Sequence, residues 1–125
     1  MRRLYFIVNP ISGSGMGKTR FEKARLLLDA AGADYGFAYT RYAGHAIPLA
    51  QTALAAGERC LVAAGGDGTL REVARVLADA PGTELGILPF GTGNDFARGM
   101  GLPEDTERLV DILLKGSARP VDAGD

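Results

Sequence analysis

Several things are scarce in this chain of 125 residues, and each scarcity narrows the field. There is one cysteine, Cys60, so no disulfide can form within the chain. It stands at the edge of an apolar run and is expected to be a small buried hydrophobe. No cluster of Cys and His has the spacing of a zinc site. No apolar run approaches the roughly 20 residues needed to cross a membrane. The run behind Arg2-Arg3 covers only residues 4–8 before Asn9-Pro10, too short for a signal peptide. An excess of one charge is missing as well. Fourteen basic against 15 acidic residues leave a net charge of −1, which predicts no nucleic-acid partner. That balance gives no overall pull toward anionic membranes, and no exposed apolar stretch stands out as a lipid groove. A cytoplasmic domain is the expectation.

Glycine is plentiful: 18 of 125 residues, about twice the usual share. The length suits one domain with a real core. Apolar runs predict strands over 4–8, 35–40, 59–64, 84–88 and 118–121, with Tyr35, Phe37 and Tyr39 on one face of the second. Helical spacing predicts helices over 17–31, from 44 or 45 to 56, and over 69–80, 94–100 and 105–115, with Gly32 and Gly57 ending the first two. Strands alternating with helices imply a three-layer αβα, Rossmann-like domain with a mostly parallel sheet. Ligands of such sheets sit outside the carboxyl ends of the strands. Asn9, Thr40, residues 65–69 and residues 91–95 all follow predicted strand ends and are expected to gather on one edge.

The chain is organised around Cys60-Leu61-Val62-Ala63-Ala64-Gly65-Gly66-Asp67-Gly68-Thr69-Leu70-Arg71-Glu72-Val73, which reads as strand, tight loop and helix. Gly65, Gly66 and Gly68 remove three Cβ atoms, so the backbone can approach a ligand closely. The new helix opens with unpaired N–H groups and the positive end of its dipole, a ready site for phosphate. Asp67 puts a carboxylate where a phosphate would sit, and two adjacent anions call for a cation such as Mg²⁺ between them. Thr69-Leu70-Arg71-Glu72 also fits a capping box, with Thr69 as N-cap and Glu72 reaching back. Capping explains those two residues, not three glycines around an aspartate.

Ser12-Gly13-Ser14-Gly15-Met16-Gly17-Lys18-Thr19 nearly matches a P-loop, with Ser12 where the first glycine belongs. As a P-loop it would give Lys18 to phosphate and Thr19 to Mg²⁺. It would leave the second glycine loop unexplained, and no acidic residue ends a strand as a Walker B should.

A further stretch is more particular: Leu88-Pro89-Phe90-Gly91-Thr92-Gly93-Asn94-Asp95-Phe96-Ala97-Arg98. Together with the Gly-Gly-Asp-Gly-Thr loop, it resembles the catalytic domain of the diacylglycerol kinase family, with its sphingosine and ceramide kinase relatives. Asn9-Pro10 with Ser12-Gly13, His45-Ala46 and Val121-Asp122-Ala123-Gly124 support the resemblance, which covers nearly the whole chain. The first loop alone is less specific, since NAD kinases and phosphofructokinases carry similar ones, and their fold is the one expected here. Arg71 stands where the family usually has Asn.

The resemblance implies ATP and Mg²⁺ as cofactors and a lipid hydroxyl, above all that of diacylglycerol, as acceptor. Asn9, Ser12, Gly13, Thr40, Gly65, Gly66, Gly68, Thr69, Glu72, Thr92, Gly93 and Asn94 would then line the nucleotide and phosphate path. Asp67 and Asp95 would be catalytic, and Asp67, Asp95 and Asp122 would organise Mg²⁺. Asp67 would bind the ion directly or through water, or accept the substrate proton. His45 would belong to the start of the second helix, near phosphate or purely structural. Family members carry a β-sandwich domain after the Val-Asp-x-Gly segment that completes the lipid site. Residues 1–125 are therefore expected to be the nucleotide-binding half of a lipid kinase, binding nucleotide but not phosphorylating lipid by themselves. In the full-length protein, peripheral contact with the inner membrane face is expected, and a homodimer is compatible. The alternatives are an NAD-kinase-like enzyme acting on a soluble substrate and a non-catalytic nucleotide-binding module.

Overall fold

The computed structural model describes residues 3–89, Val110 and Arg119–Pro120. Along the chain run β1 (Arg3–Val8), α1 (Ser12–Gly15), α2 (Gly17–Ala30), β2 (Asp34–Tyr39), α3 (Ala46–Ala55), β3 (Cys60–Gly65), α4 (Asp67–Leu77), β4 (Glu84–Pro89) and β5 (Arg119–Pro120). Val110, within the expected 105–115 helix, is helical and buried. The sheet order is β2-β1-β3-β4-β5. β1 to β4 are mutually parallel, and β5 pairs antiparallel with β4. This is the expected αβα domain with a mostly parallel sheet.

Burial follows the order. β3 lies in the middle and all six of its residues are buried; β2 lies at the edge and none of its six is. From β1 the chain moves outward to β2, and from β3 it moves the other way to β4. Right-handed crossovers in opposite directions put their helices on opposite faces. Accordingly α2 covers one face, packing Phe21, Ala24 and Leu28 on Leu4, Phe6, Val8 and Val62. The other face carries α3 and α4, with Ala46, Ala50 and Ala53 beside Leu70, Val73 and Leu77 over Ile7, Leu61 and Ala63. Alanines every three or four residues keep the inner stripe of α3 thin, which brings its backbone close to the sheet and to α4.

The α2 face is aromatic. Phe21 meets Phe6 and Phe37, each at 5.3 Å between ring centroids, and Tyr39 edge-on at 6.0 Å. Tyr35, Phe37 and Tyr39 share this face as expected. The Arg25 guanidinium lies 4.5 Å over the Phe37 ring, a cation–π contact at the rim. Tyr39 donates a 2.9 Å hydrogen bond to Glu22, and burial, aided by that bond, pushes its phenol up to about 12. Cys60 is buried as expected. Glycines at positive φ, Gly32 and Gly57, follow α2 and α3, where a left-handed residue is needed to turn off the helix.

Candidate functional site

The point where strand order reverses lies between β1 and β3, and there the loops converge. The Asn9 N–H donates to the Ala64 carbonyl at 2.8 Å, stitching the end of β1 to the end of β3. The Thr40 N–H donates to the Val8 carbonyl at 2.8 Å, carrying the β1–β2 ladder to its last rung. Asn9, Thr40 and residues 65–69 thus share one edge of the sheet, as the topology argument requires. Thr92, Gly93, Asn94, Asp95 and Asp122 lie outside the described residues.

The β3–α4 turn sets the chemistry. Gly66 is the N-cap of α4 in an extended conformation (φ −98°, ψ −167°), and the Leu70 N–H closes on its carbonyl at 3.2 Å. No described side chain caps this helix start, and uncapped N–H groups at a helix start are the kind that take an anionic ligand. The expected capping box does not form. Thr69 is the third residue of α4 rather than its cap, and it is buried at 6% exposure. Glu72 is half-buried one turn further on, with no hydrogen bond or ion pair to another described residue. The capping pattern misled because the extended Gly66 starts the helix three residues before Thr69.

The three glycines are not equivalent. A Cβ at Gly65 would lie 2.9 Å from Thr69 Oγ1 and 3.1 Å from Asn9 Cβ, so packing alone demands glycine there. A Cβ at Gly66 or Gly68 would meet no described residue within 4 Å, and neither residue has a left-handed φ. Packing among the described residues does not need glycine at 66 or 68. Bare backbone that this packing does not require is what close approach of a phosphate requires.

Between those two glycines, Asp67 Oδ1 is buried and accepts no hydrogen bond from another described residue. A buried acceptor without a donor is destabilising by about 1–3 kcal/mol, more if charged. A cation would satisfy it, so the residue fits Mg²⁺. Among the described residues no three of His, Cys, Asp and Glu converge as a metal cage. Mg²⁺ does not need one; it characteristically takes one or two carboxylates and completes its shell with phosphate oxygens and water. The described chain therefore offers one carboxylate at an uncapped helix start.

Asn9 and Ser12 hold the neighbouring wall. Asn9 Oδ1 accepts from the Ile11 N–H at 3.1 Å, and the Asn9 carbonyl accepts from Ser12 Oγ at 2.9 Å. The loop expected over residues 9–17 contains the single turn α1, into which Gly13 falls. The P-loop alternative fails on the same geometry. The Lys18 N–H is bonded to the Pro10 carbonyl at 3.0 Å, and a Cβ at Gly17 would overlap the Asn9 carbonyl oxygen. Gly17 is thus a packing glycine. His45, the N-cap of α3, does not cap through its side chain; its Nδ1 accepts the Arg41 N–H at 2.9 Å, which leaves the ring proton on Nε2. Its ring stacks on Tyr42 at 4.4 Å. Both contacts shape the β2–α3 turn, the structural role among those expected for it. Arg71 is exposed.

The switch point of this doubly wound α/β domain thus holds a helix start without a side-chain cap, two glycines and a carboxylate. The sequence pattern described as the diacylglycerol kinase catalytic domain matches residues 3–125, and the chain belongs to that family. It is 36% identical over 124 residues to the diacylglycerol kinase of Staphylococcus aureus strain Newman, covering 98% of this chain and 39% of that one. It superposes on a crystal structure of a diacylglycerol kinase from Bacillus anthracis str. Sterne with a TM-score of 0.75 and 31% identity, covering 91% of this chain and 42% of the other. The chain thus spans about two fifths of the length of these relatives. No described helix is long and apolar enough to cross a membrane.

Proposed function

We propose that the chain is the nucleotide-binding part of a lipid kinase that transfers the γ-phosphoryl group of ATP to the hydroxyl of diacylglycerol. The observation that carries this reading is the buried, unpartnered Oδ1 of Asp67 between two glycines that packing among the described residues does not need. The N–H groups at the start of α4 would hold the phosphates, and Gly66 and Gly68 would let them come close. Thr69 would act through Gly65, keeping the turn in place. Asn9, Ser12 and Thr40 would wall the nucleotide side. Bound magnesium would neutralise phosphate charge, held by Asp67 with Asp95 and Asp122 as further candidates.

The chemistry asks the protein mainly for positioning and charge stabilisation. The lipid hydroxyl oxygen bonds to the γ-phosphorus as the bond from that phosphorus to the β–γ bridging oxygen breaks. ADP leaves with the electron pair, the hydroxyl proton passes to a carboxylate, and phosphatidic acid is the product. Asp67 and Asp95 are the candidate acceptors of that proton. A β-sandwich domain following this chain would complete the lipid site and close the cleft against water.

The test is a radiolabelled-ATP assay in mixed micelles with diacylglycerol, run on the full-length protein and on residues 1–125, with sphingosine, ceramide and NAD as competing acceptors. Phosphatidic acid from the full-length protein, and nucleotide binding without turnover by residues 1–125, are the expected results. Preference for NAD would establish the soluble-substrate alternative, and nucleotide binding with no acceptor used would establish the non-catalytic one.

A further inference from the structure

Asn9 is gripped from two sides at the switch point. Its N–H donates to the Ala64 carbonyl of β3, its Oδ1 accepts from the Ile11 N–H and its carbonyl accepts from Ser12 Oγ. The amide oxygen is therefore engaged, while the amide NH2 forms no hydrogen bond with another described residue. It is a fixed donor on the strand-end edge, of the kind a ligand oxygen can use. The grip is steric as well. A Cβ at Gly65 would lie 3.1 Å from Asn9 Cβ. A Cβ at Gly17 would overlap the Asn9 carbonyl oxygen and lie 2.8 Å from Ser12 Oγ. Asn9 is thus wedged between two glycines, one at the end of β3 and one at the start of α2.

The wedge has a rigid side. One turn beyond Gly17, Phe21 is fully buried against Phe6 and Phe37, with Ala24 and Leu28 buried behind it. A close-packed interior of this kind does not let α2 back away from the loop. The Lys18 N–H, bonded to the Pro10 carbonyl at 3.0 Å, ties the first turn of α2 to the same loop. Gly17 is itself buried and its φ is not left-handed, so neither exposure to a ligand nor backbone conformation accounts for glycine there. What accounts for it is the Asn9 carbonyl. Bulk added at Gly17 has to be relieved by moving main chain at Asn9, because the opposing atom is not the end of a flexible side chain. The aromatic packing of the domain thereby reaches the site through one missing side chain: Phe21 sets α2, and Gly17 lets α2 set Asn9.

We propose that Gly17 is a positioning residue: by letting the first turn of α2 close on the Asn9 carbonyl, it aims the Asn9 amide at the nucleotide. The proposal rests on the reading of Asn9 as part of the nucleotide wall. The test uses the full-length protein, with Mg-ATP binding followed by calorimetry and diacylglycerol phosphorylation in the steady state. Gly17→Ala should weaken Mg-ATP binding and raise KM for ATP about ten- to a hundredfold, the order expected when a positioned group moves by about 1 Å. KM for the lipid should not change. A merely structural role would lower the folded fraction, and with it the apparent kcat, at an unchanged KM for ATP. Gly36→Ala controls for crowding as such. Its Cβ would meet the side chains of Arg3 and Tyr5 at 2.9 and 3.0 Å, and KM for ATP should stay as in the parent. If Gly17→Ala does not fold, Lys18→Pro decides. It removes the N–H tie within the first turn, where a helix tolerates proline, and should raise KM for ATP severalfold. Lys18→Ala keeps that N–H and should leave KM for ATP unchanged. A folded Gly17→Ala protein with the parent's KM for ATP overturns the proposal. So does an equal rise in Gly36→Ala, or a Lys18→Pro protein that matches the parent or Lys18→Ala. A parent that binds no Mg-ATP would sink the nucleotide reading and the role of Gly17 with it, whereas parent-like binding by Gly17→Ala sinks only the latter.

Discussion

The two ends of the sheet are built on opposite plans. At the strand starts, the Arg3 guanidinium reaches Asp34 at 2.7 Å and Glu58 at 2.9 Å, tying β1, β2 and the approach to β3 together. Those hydrogen bonds, Glu58's first, raise the already high pKa of Arg3. An open cleft of about 430 Å³ lies there, yet Arg3 and Glu58 on its wall already satisfy each other. At the strand ends, Asp67 Oδ1 is buried without a donor among the described residues, and a Cβ on Gly66 or Gly68 would meet none of them. The unfinished end is therefore the one to read as a site. A cleft marks volume, whereas an unsatisfied buried acceptor marks a missing partner.

The sharpest way to break this comparison is Asp67→Asn. In the full-length enzyme, turnover should fall about 10²–10³-fold, the effect of removing one transition-state electrostatic contact. Replacing a carboxylate whose Oδ1 is buried and unpartnered by an amide should leave the melting temperature unchanged or raise it. Near-parent activity would move the role to Asp95 or to another domain. Next come the glycines, where the structure separates neighbours. Gly66→Val should abolish Mg-ATP binding with the fold retained, because its Cβ meets open space. Gly65→Val should destabilise by about 1–3 kcal/mol through overpacking against Thr69 and Asn9, read by chemical denaturation. Equal stability losses at the two positions would erase the distinction between ligand-facing and packing glycines.

A smaller effect is expected at the finished end. Glu58→Gln leaves Arg3 with Asp34 alone and should cost about 1 kcal/mol or less in stability, diminished by salt, with unchanged turnover. A clear loss of activity there would mean the strand starts are not merely structural. The smallest effect belongs to Tyr39. Its folded pKa, near 12, lies above the unfolded value of about 10. Its contribution to stability is thus fully present below pH 10 and is lost as pH rises toward 12. Ultraviolet titration should show a late phenol step that Tyr39→Phe removes; an unchanged titration would place that step on another tyrosine.

Much of this was legible in the sequence because it depends on periodicity. The four parallel strands, their intervening helices and the convergence of strand-end loops follow from apolar runs and from the geometry of parallel sheets. What stayed hidden depends on conformation at single residues. Thr69 reads as a cap, but the ψ of Gly66 starts the helix earlier and turns Thr69 into a packed wall. Gly65, Gly66, Gly68 and Gly17 look alike as letters; only the atoms around each missing Cβ tell packing from open space.

The orphaned oxygen of Asp67 has one more consequence. In the unfolded chain water solvates that oxygen; in the folded one it is buried and no described residue donates to it. A cation–phosphate pair that completes its shell then binds the folded form alone, so folding and ligand occupancy become thermodynamically linked. Each tenfold rise in ligand concentration above its dissociation constant adds about 1.4 kcal/mol to stability. The domain's own melting curve thereby becomes a titration of whatever fills the gap, readable before any acceptor for the phosphoryl group has been identified.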